Sequence, residues 1–236
     1  DRIVTVPGME TSKTVILLVE GQDRRYVHMF GANAAFTSAH IDPDWIDGLD
    51  VFYVGGMFLM PAFTVDECLE VLKRCREKDV VTVVDVVIGR QANIAADAAR
   101  LMPYIDYLLP NDDEGRQLTG KSHAAEQALA LRDMGVRTVV VTCGAAGAVA
   151  VRGDTLWTVP VHGGAVVDPS GAGDAFAAGI ITGIARGWSL EQTLACGAAL
   201  GASATRAVGT TTGVFTREAT QAFMAENPLA LACRQV

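Results

Sequence analysis

From Asp50 onward, continuous apolar runs alternate with amphipathic stretches, and that alternation leaves few folds open. Val51–Val54, Val80–Val87, Ile105–Leu109 and Arg137–Thr142 read as buried strands, while Val65–Lys78, Ile94–Met102 and Ala124–Met134 carry helical periodicity. Strands that are apolar without a polar face are covered on both sides. Strands separated by helices join through βαβ crossovers into a mostly parallel sheet. A three-layer α/β/α domain with a mostly parallel central sheet follows, over residues 37–236. Two hairpin-like strands, Gly147–Val151 and Leu156–Pro160, turn at Gly153-Asp154. Helices are expected at about 172–186, 190–206 and 217–225, with Gly187 stopping the first and Ser189 capping the second. Ahead of this domain, residues 3–6, 14–20 and 25–30 read as three short strands with turn signals at Pro7-Gly8 and Gly21-Gln22-Asp23. Residues 1–36 are therefore expected to form a small antiparallel β lid.

Composition narrows the function classes. The chain of 236 residues is 50% apolar and 19% charged, which suits a well-packed globule. Its net charge of −8 argues against a nucleic-acid or membrane partner, since both are met by basic patches. The four lysines (Lys13, Lys73, Lys78, Lys121) do not cluster, so an anionic substrate must be held by backbone donors, an arginine or a metal ion. Cys68, Cys75, Cys143, Cys196 and Cys233 show no zinc-like spacing and sit among apolar neighbours, the pattern of buried thiols in a reducing cytosol. No signal peptide and no membrane-length apolar run is visible, and a cytoplasmic location is expected.

The stretch from Val166 to Gly179 carries the chemistry. A strand ends in the glycine-rich turn Gly171-Ala172-Gly173, and a helix opens directly after it. The first turn of a helix has N–H groups without intrahelical acceptors and partial positive charge. Small residues there let a phosphate reach the backbone, so Gly171, Ala172 and Gly173 make a candidate anion hole. Asp174, beside it, is placed to take a proton from an attacking hydroxyl, and phosphoryl transfer needs little beyond alignment, neutralised charge and a base. The alternative is an ordinary tight turn in which Asp174 only stabilises the start of the helix.

Asp168-Pro169-Ser170-Gly171-Ala172-Gly173-Asp174 resembles the D-T-x-G-A-G-D signature of the ribokinase-like (PfkB-type) carbohydrate kinases. Asn111-Asp112-Asp113-Glu114 is similar to that family's N-x-x-E motif, and Thr142-Cys143-Gly144-Ala145-Ala146-Gly147 to its T-x-G-x-x-G stretch. Gly31-Ala32-Asn33-Ala34-Ala35 resembles the segment that leaves the family's β lid. The resemblance runs from about residue 3 to about residue 226. It implies a ribokinase-like fold and transfer of the γ-phosphoryl group of Mg-ATP to a hydroxyl of a sugar. A nucleoside acceptor, or a catalytically silent nucleotide- or sugar-binding relative, is the alternative. By the same resemblance Asp174 is the base, Asn111 and Glu114 organise Mg²⁺, and Thr142, Gly144 and Gly147 line the nucleotide site. Asp168 and Ser170, with Ser203 and Gly209 opposite, match positions that in many relatives form a monovalent-cation (K⁺) site. A local role, with Asp168 capping the turn and Ser170 bonding nearby, is equally open. Relatives' lids often pair between subunits, so a homodimer through the lid is expected.

Three departures stand out. Family members normally begin with a further βαβ portion that grips the sugar, so a missing stretch of very roughly 70–90 residues is expected ahead of Asp1. Relatives acting on ribose tend to carry Glu near Met57, and its absence leaves the acceptor unidentified. The Asn or His often found near adenine is Cys196-Gly197 here, which implies apolar contact.

Gly115–Ser122 matches the Walker A pattern G-x-x-x-x-G-K-[ST]. Its context is wrong: Asp112, Asp113 and Glu114 would set three negative charges beside a triphosphate. Glu114–Thr119 reads instead as a short helix ended by Gly120, with Ser122 capping the next. The four histidines (His28, His40, His123, His162) are scattered, and Trp45, Trp157 and Trp188 read as packing residues. Among the arginines that could reach an anionic substrate (Arg24, Arg25, Arg90), Arg90 follows the C-terminal end of the strand Val80–Val87, where open α/β sheets place ligands.

Overall fold

The computed structural model describes residues 3–19, 25–89 and 94–236. β1 (Lys13–Leu17) and β2 (Arg25–Met29) pair antiparallel as a sheet of their own. Ile3–Val6, expected as a third strand of this sheet, is not one. The Met9 N–H closes a turn onto Val6 O, and residues 3–6 are in no ladder, so extended propensity alone leaves their backbone unpaired.

A seven-stranded sheet follows in chain order: β3 (Val51–Met57), β4 (Val81–Val86), β5 (Tyr107–Leu108), β6 (Thr138–Thr142), β7 (Ala148–Arg152), β8 (Thr155–Val159) and β9 (Ala232–Gln235). β3 to β6 pair in parallel, and β7, β8 and β9 each pair antiparallel with the strand before. Five strands, β3–β6 and β8, therefore point one way. Helix α1 (Pro43–Ile46) precedes β3; α2 (Val65–Glu77) joins β3 to β4, α3 (Ile94–Ala99) joins β4 to β5, and α4 (Asp112–Thr119) and α5 (Ala124–Asp133) join β5 to β6. α6 (Ala172–Ala185), α7 (Leu190–Ala204) and α8 (Arg217–Glu226) come after β8.

The strand pleat sorts the core into two layers. Val84, Val86, Val139, Val141 and Val151 face Leu72, Ala98, Leu118 and Leu131 of α2–α5. Their neighbours Val83, Val140 and Ala150 face Phe176, Ile180 and Leu194 of α6 and α7. Alternate residues of apolar strands feed opposite layers, as a doubly covered parallel sheet requires.

Several boundaries moved for local reasons. α3 stops at Ala99, and Pro103 sits in a short 3-10 turn over Met102–Tyr104. α4 begins at Asp112, two residues before the expected start, because Asn111 caps it. Ser122 does not cap α5; His123 occupies that position without a side-chain cap bond. Ser189 does cap α7, accepting from the Gln192 N–H, and Gly187 has the left-handed φ of 64° expected of a helix stop. β9 had no apolar pattern to announce it: Ala232–Gln235 is exposed along its length and is held by backbone pairing to β8. Cys68, Cys75 and Cys196 are buried, but Cys143 is half-buried and Cys233 is exposed on β9, contrary to the expectation of five buried thiols. No helix among the described residues is long and apolar enough to cross a membrane.

Candidate active site

The parallel strands end in one direction, and the chemistry collects at their C-terminal ends. β5 and β6 pair past their regular parts through an isolated parallel bridge between Asn111 and Thr142. That bridge sets the N-x-x-E and T-x-G-x-x-G segments side by side. Asn111 and Glu114 form a reciprocal helix cap: Asn111 Oδ1 accepts from the Glu114 N–H at 2.9 Å, and Glu114 Oε2 accepts from the Asn111 N–H at 2.9 Å. The motif is therefore a capping box that locks the two side chains onto the first turn of α4. Gly144 and Gly147 bound a 3-10 turn directly after β6.

Gly171 is the N-cap of α6 with φ 79°, and a Cβ there would run into the carbonyl of Thr210. Only glycine fits both the conformation and the contact. The Ala172 N–H donates to Pro169 O over 3.3 Å. The N–H groups of Gly173 and Asp174 lie in the first turn and meet no backbone acceptor among the described residues. The Asp174 side chain is exposed in that turn, and partial burial raises its pKa above the ordinary value.

Asp85, which the sequence analysis did not single out, belongs to the same region. It is the penultimate residue of β4, where burial, then the charges of Glu114 and Asp174, push its carboxyl up to about 7. Burial chiefly raises Glu114 likewise to about 7, against hydrogen bonds from the backbone of Asn111 and Ile88. Tyr53 Oη on β3 donates to Asp85 Oδ2 over 3.5 Å. Burial, then Asp85 and Asp174, raise the Tyr53 phenol. The signal was present: an aspartate breaks the run Val83-Val84-Asp85-Val86-Val87 at the C-terminal end of a parallel strand. Tyr53 also lines a cleft of about 530 Å³ between β3 and the 31–40 segment, together with Asn33, Phe36, Trp45 and Phe52.

Asp168 and Ser170 are buried next to the loop that carries Gly209. Asp168 Oδ1 accepts from the Ser170 N–H at 2.9 Å and Oδ2 from the Gly209 N–H at 3.0 Å, while the buried Ser170 Oγ has no partner. Ser203, expected opposite them, spends its hydroxyl on Leu200 O and the Phe215 N–H. Cys196 and Gly197 are not at an open surface. Cys196 is buried against Ala175 and Leu200, and a Cβ on Gly197 would meet Phe176 and Ile180, so both serve the α6–α7 contact. Met57 is buried in the core. Arg24 and Arg90 lie outside the described residues. The Walker-like stretch crosses α4 and the left-handed turn at Gly120, φ 70°, and has no strand in front of a phosphate loop.

The profile of the pfkB family carbohydrate kinases matches residues 1–217. The chain belongs to that family. Among its relatives, the adenosine kinase of Saccharomyces cerevisiae is 29% identical over 207 residues, covering 81% of this chain and 60% of its own length. The aminoimidazole riboside kinase of Salmonella enterica, solved with aminoimidazole riboside and an ATP analogue, superposes with a TM-score of 0.74 at 25% identity, over 84% of this chain and 70% of that one. The ribokinase of Thermotoga maritima gives 0.77 at 22% identity, over 92% and 70%. The fold is thus ribokinase-like, and this pfkB-family chain spans 60% or less of the length of the curated relatives it matches, down to 34%.

Proposed function

We propose that this pfkB-family chain performs ATP-dependent phosphoryl transfer to a hydroxyl of a sugar or nucleoside. The observation that carries the reading is the mouth of α6. Gly173 and Asp174 present open N–H groups at a helix start, and an exposed carboxylate with a raised pKa stands in the same turn. In the reaction the acceptor oxygen attacks the γ-phosphorus and the bond to the bridging β–γ oxygen breaks. ADP leaves, and the hydroxyl proton passes to Asp174 and on to solvent. The open N–H groups of Gly173 and Asp174, at the end of the Gly171-Ala172-Gly173 turn, hold the charge that builds on the transferred group. Thr142, Gly144 and Gly147 flank the nucleotide, and the acceptor enters by the cleft along β3 that Tyr53 helps to line.

The raised carboxyls of Glu114 and Asp85 fit a cation, because a positive charge would relieve the burial of both. Among the described residues no three metal-ligating side chains converge, which suits Mg²⁺, an ion that takes one or two carboxylates and completes its shell with water and phosphate. Glu114 and Asn111 would hold it through water, and it would supply charge neutralisation on the phosphates. The orphan Ser170 Oγ beside Asp168 and the Gly209 loop is the observation that favours a K⁺ site there. Exposed Val15, Tyr26, Val27 and Met29 on β1 and β2 support pairing of two lids in a homodimer.

A panel of sugars and nucleosides incubated with Mg-ATP tests the reading. ADP and a phosphorylated acceptor should appear together. Nucleotide binding without product from any acceptor would favour a silent binding protein.

A further inference from the structure

The buried face of α5 carries Ala124, Ala128 and Leu131 against the core, and Gln127 stands in the same stripe with no exposed surface. A polar side chain in such a place is costly unless its groups are used. Its Nε2 donates to two carbonyls: Asp112 O at 2.9 Å, in the first turn of α4, and Lys121 O at 3.1 Å, in the return that follows α4. Its Oε1 has no partner, so the two N–H bonds are what the side chain contributes. Gly115, one residue past Glu114, faces this carboxamide so closely that a Cβ there would collide with Gln127 Oε1 and come within 2.9 Å of Cδ.

We infer that Gln127 is a positioning residue for the Asn111–Glu114 pair. It clamps the start of α4 against α5 and thereby fixes the direction of the Glu114 carboxyl. The inference rests on the proposed role of Glu114 toward the metal–nucleotide. Leucine has much the same volume and would continue the buried stripe of Ala128 and Leu131, so packing alone does not call for an amide here. The Walker-like letters Gly115–Ser122 acquire a physical role in this arrangement: Gly115 leaves room for the clamp, and Gly120 turns the chain so that Lys121 O can accept from it.

Calorimetric titration of the chain with the ATP analogue AMP-PNP, with and without Mg²⁺, tests this. Glu114→Gln should abolish the tightening that Mg²⁺ confers. Gln127→Leu should lose about tenfold of that tightening or more, the size expected when a group supporting a metal ligand is removed. Its metal-free affinity should stay within about twofold of the parent, and unfolding should remain cooperative. Gly115→Ala provides a second route: it should weaken the Mg²⁺-dependent part by displacing the carboxamide, and combining it with Gln127→Ala should add no further loss. Full Mg²⁺-dependent tightening in both Gln127→Leu and Gly115→Ala, with its loss in Glu114→Gln, overturns the clamp and leaves the site reading standing. Full tightening in Glu114→Gln overturns the site reading itself, and the clamp with it.

Discussion

A left-handed φ of 79° and contact with the Thr210 carbonyl make Gly171 the residue on which the mouth of α6 is built. Gly171→Ala should cost about 1–3 kcal/mol from backbone strain, and thermal denaturation should show a midpoint several degrees lower. This residue and Asp174 were legible as a glycine-rich turn opening a helix, but the strand expected to end in that turn is absent: Val166–Ser170 is irregular, with Val166 and Val167 exposed. Asp85 stayed hidden. It lies 29 residues before Glu114 and 89 before Asp174 in sequence, and only the strand ends bring the three charges within electrostatic reach. Gln127 stayed hidden for a related reason: one glutamine in an alanine-rich helix looks solvated until the helix face is known. Lys121 shows the reverse case, a motif residue whose surroundings deny it the motif's job. Lys121→Ala should leave nucleotide affinity within about twofold of the parent, since no phosphate loop precedes it; a fall of two orders of magnitude would revive the P-loop reading.

Helices and strands with strong periodicity were legible to within a few residues, and the ends of elements were not. Ile3–Val6 has strand-like composition but no strand partner among the described residues, whereas Ala232–Gln235 has no strand-like pattern and pairs with β8. Pairing, a non-local property, decided both. The same convergence of elements sets a pH dependence. Asp85 at the end of β4 and Glu114 at the start of α4 both titrate near 7, above their ordinary values of 3.8 and 4.5. The folded chain therefore binds protons at these groups that the unfolded chain has released, and their contribution to stability falls as pH rises toward and through 7. Without divalent ions the thermal midpoint should decline from about pH 5 to about pH 8. Asp85→Asn should flatten that decline, and an unchanged slope in the variant would contradict the assignment.

At the scale of the whole molecule, two sheets with different tasks share one chain. The seven-stranded sheet is covered on both faces and carries the candidate site. The two-stranded sheet exposes Val15 at 57% and its cross-strand partner Val27 at 59%. Lid pairing is proposed on this surface, and if lids pair, Val15→Lys with Val27→Lys should turn a dimer into a monomer by light scattering while unfolding stays cooperative. A parent chain that is monomeric at all concentrations would contradict lid pairing. In the proposed reaction, open amides at the start of α6 cradle a transferring phosphoryl group beside a proton-accepting carboxylate. The most direct measurement is the turnover of Asp174→Asn with any acceptor the parent phosphorylates, alongside Mg-AMP-PNP affinity. The kcat should fall by about 100–10,000-fold with nucleotide affinity nearly unchanged; turnover within a few-fold of the parent would contradict a proton-accepting role for Asp174.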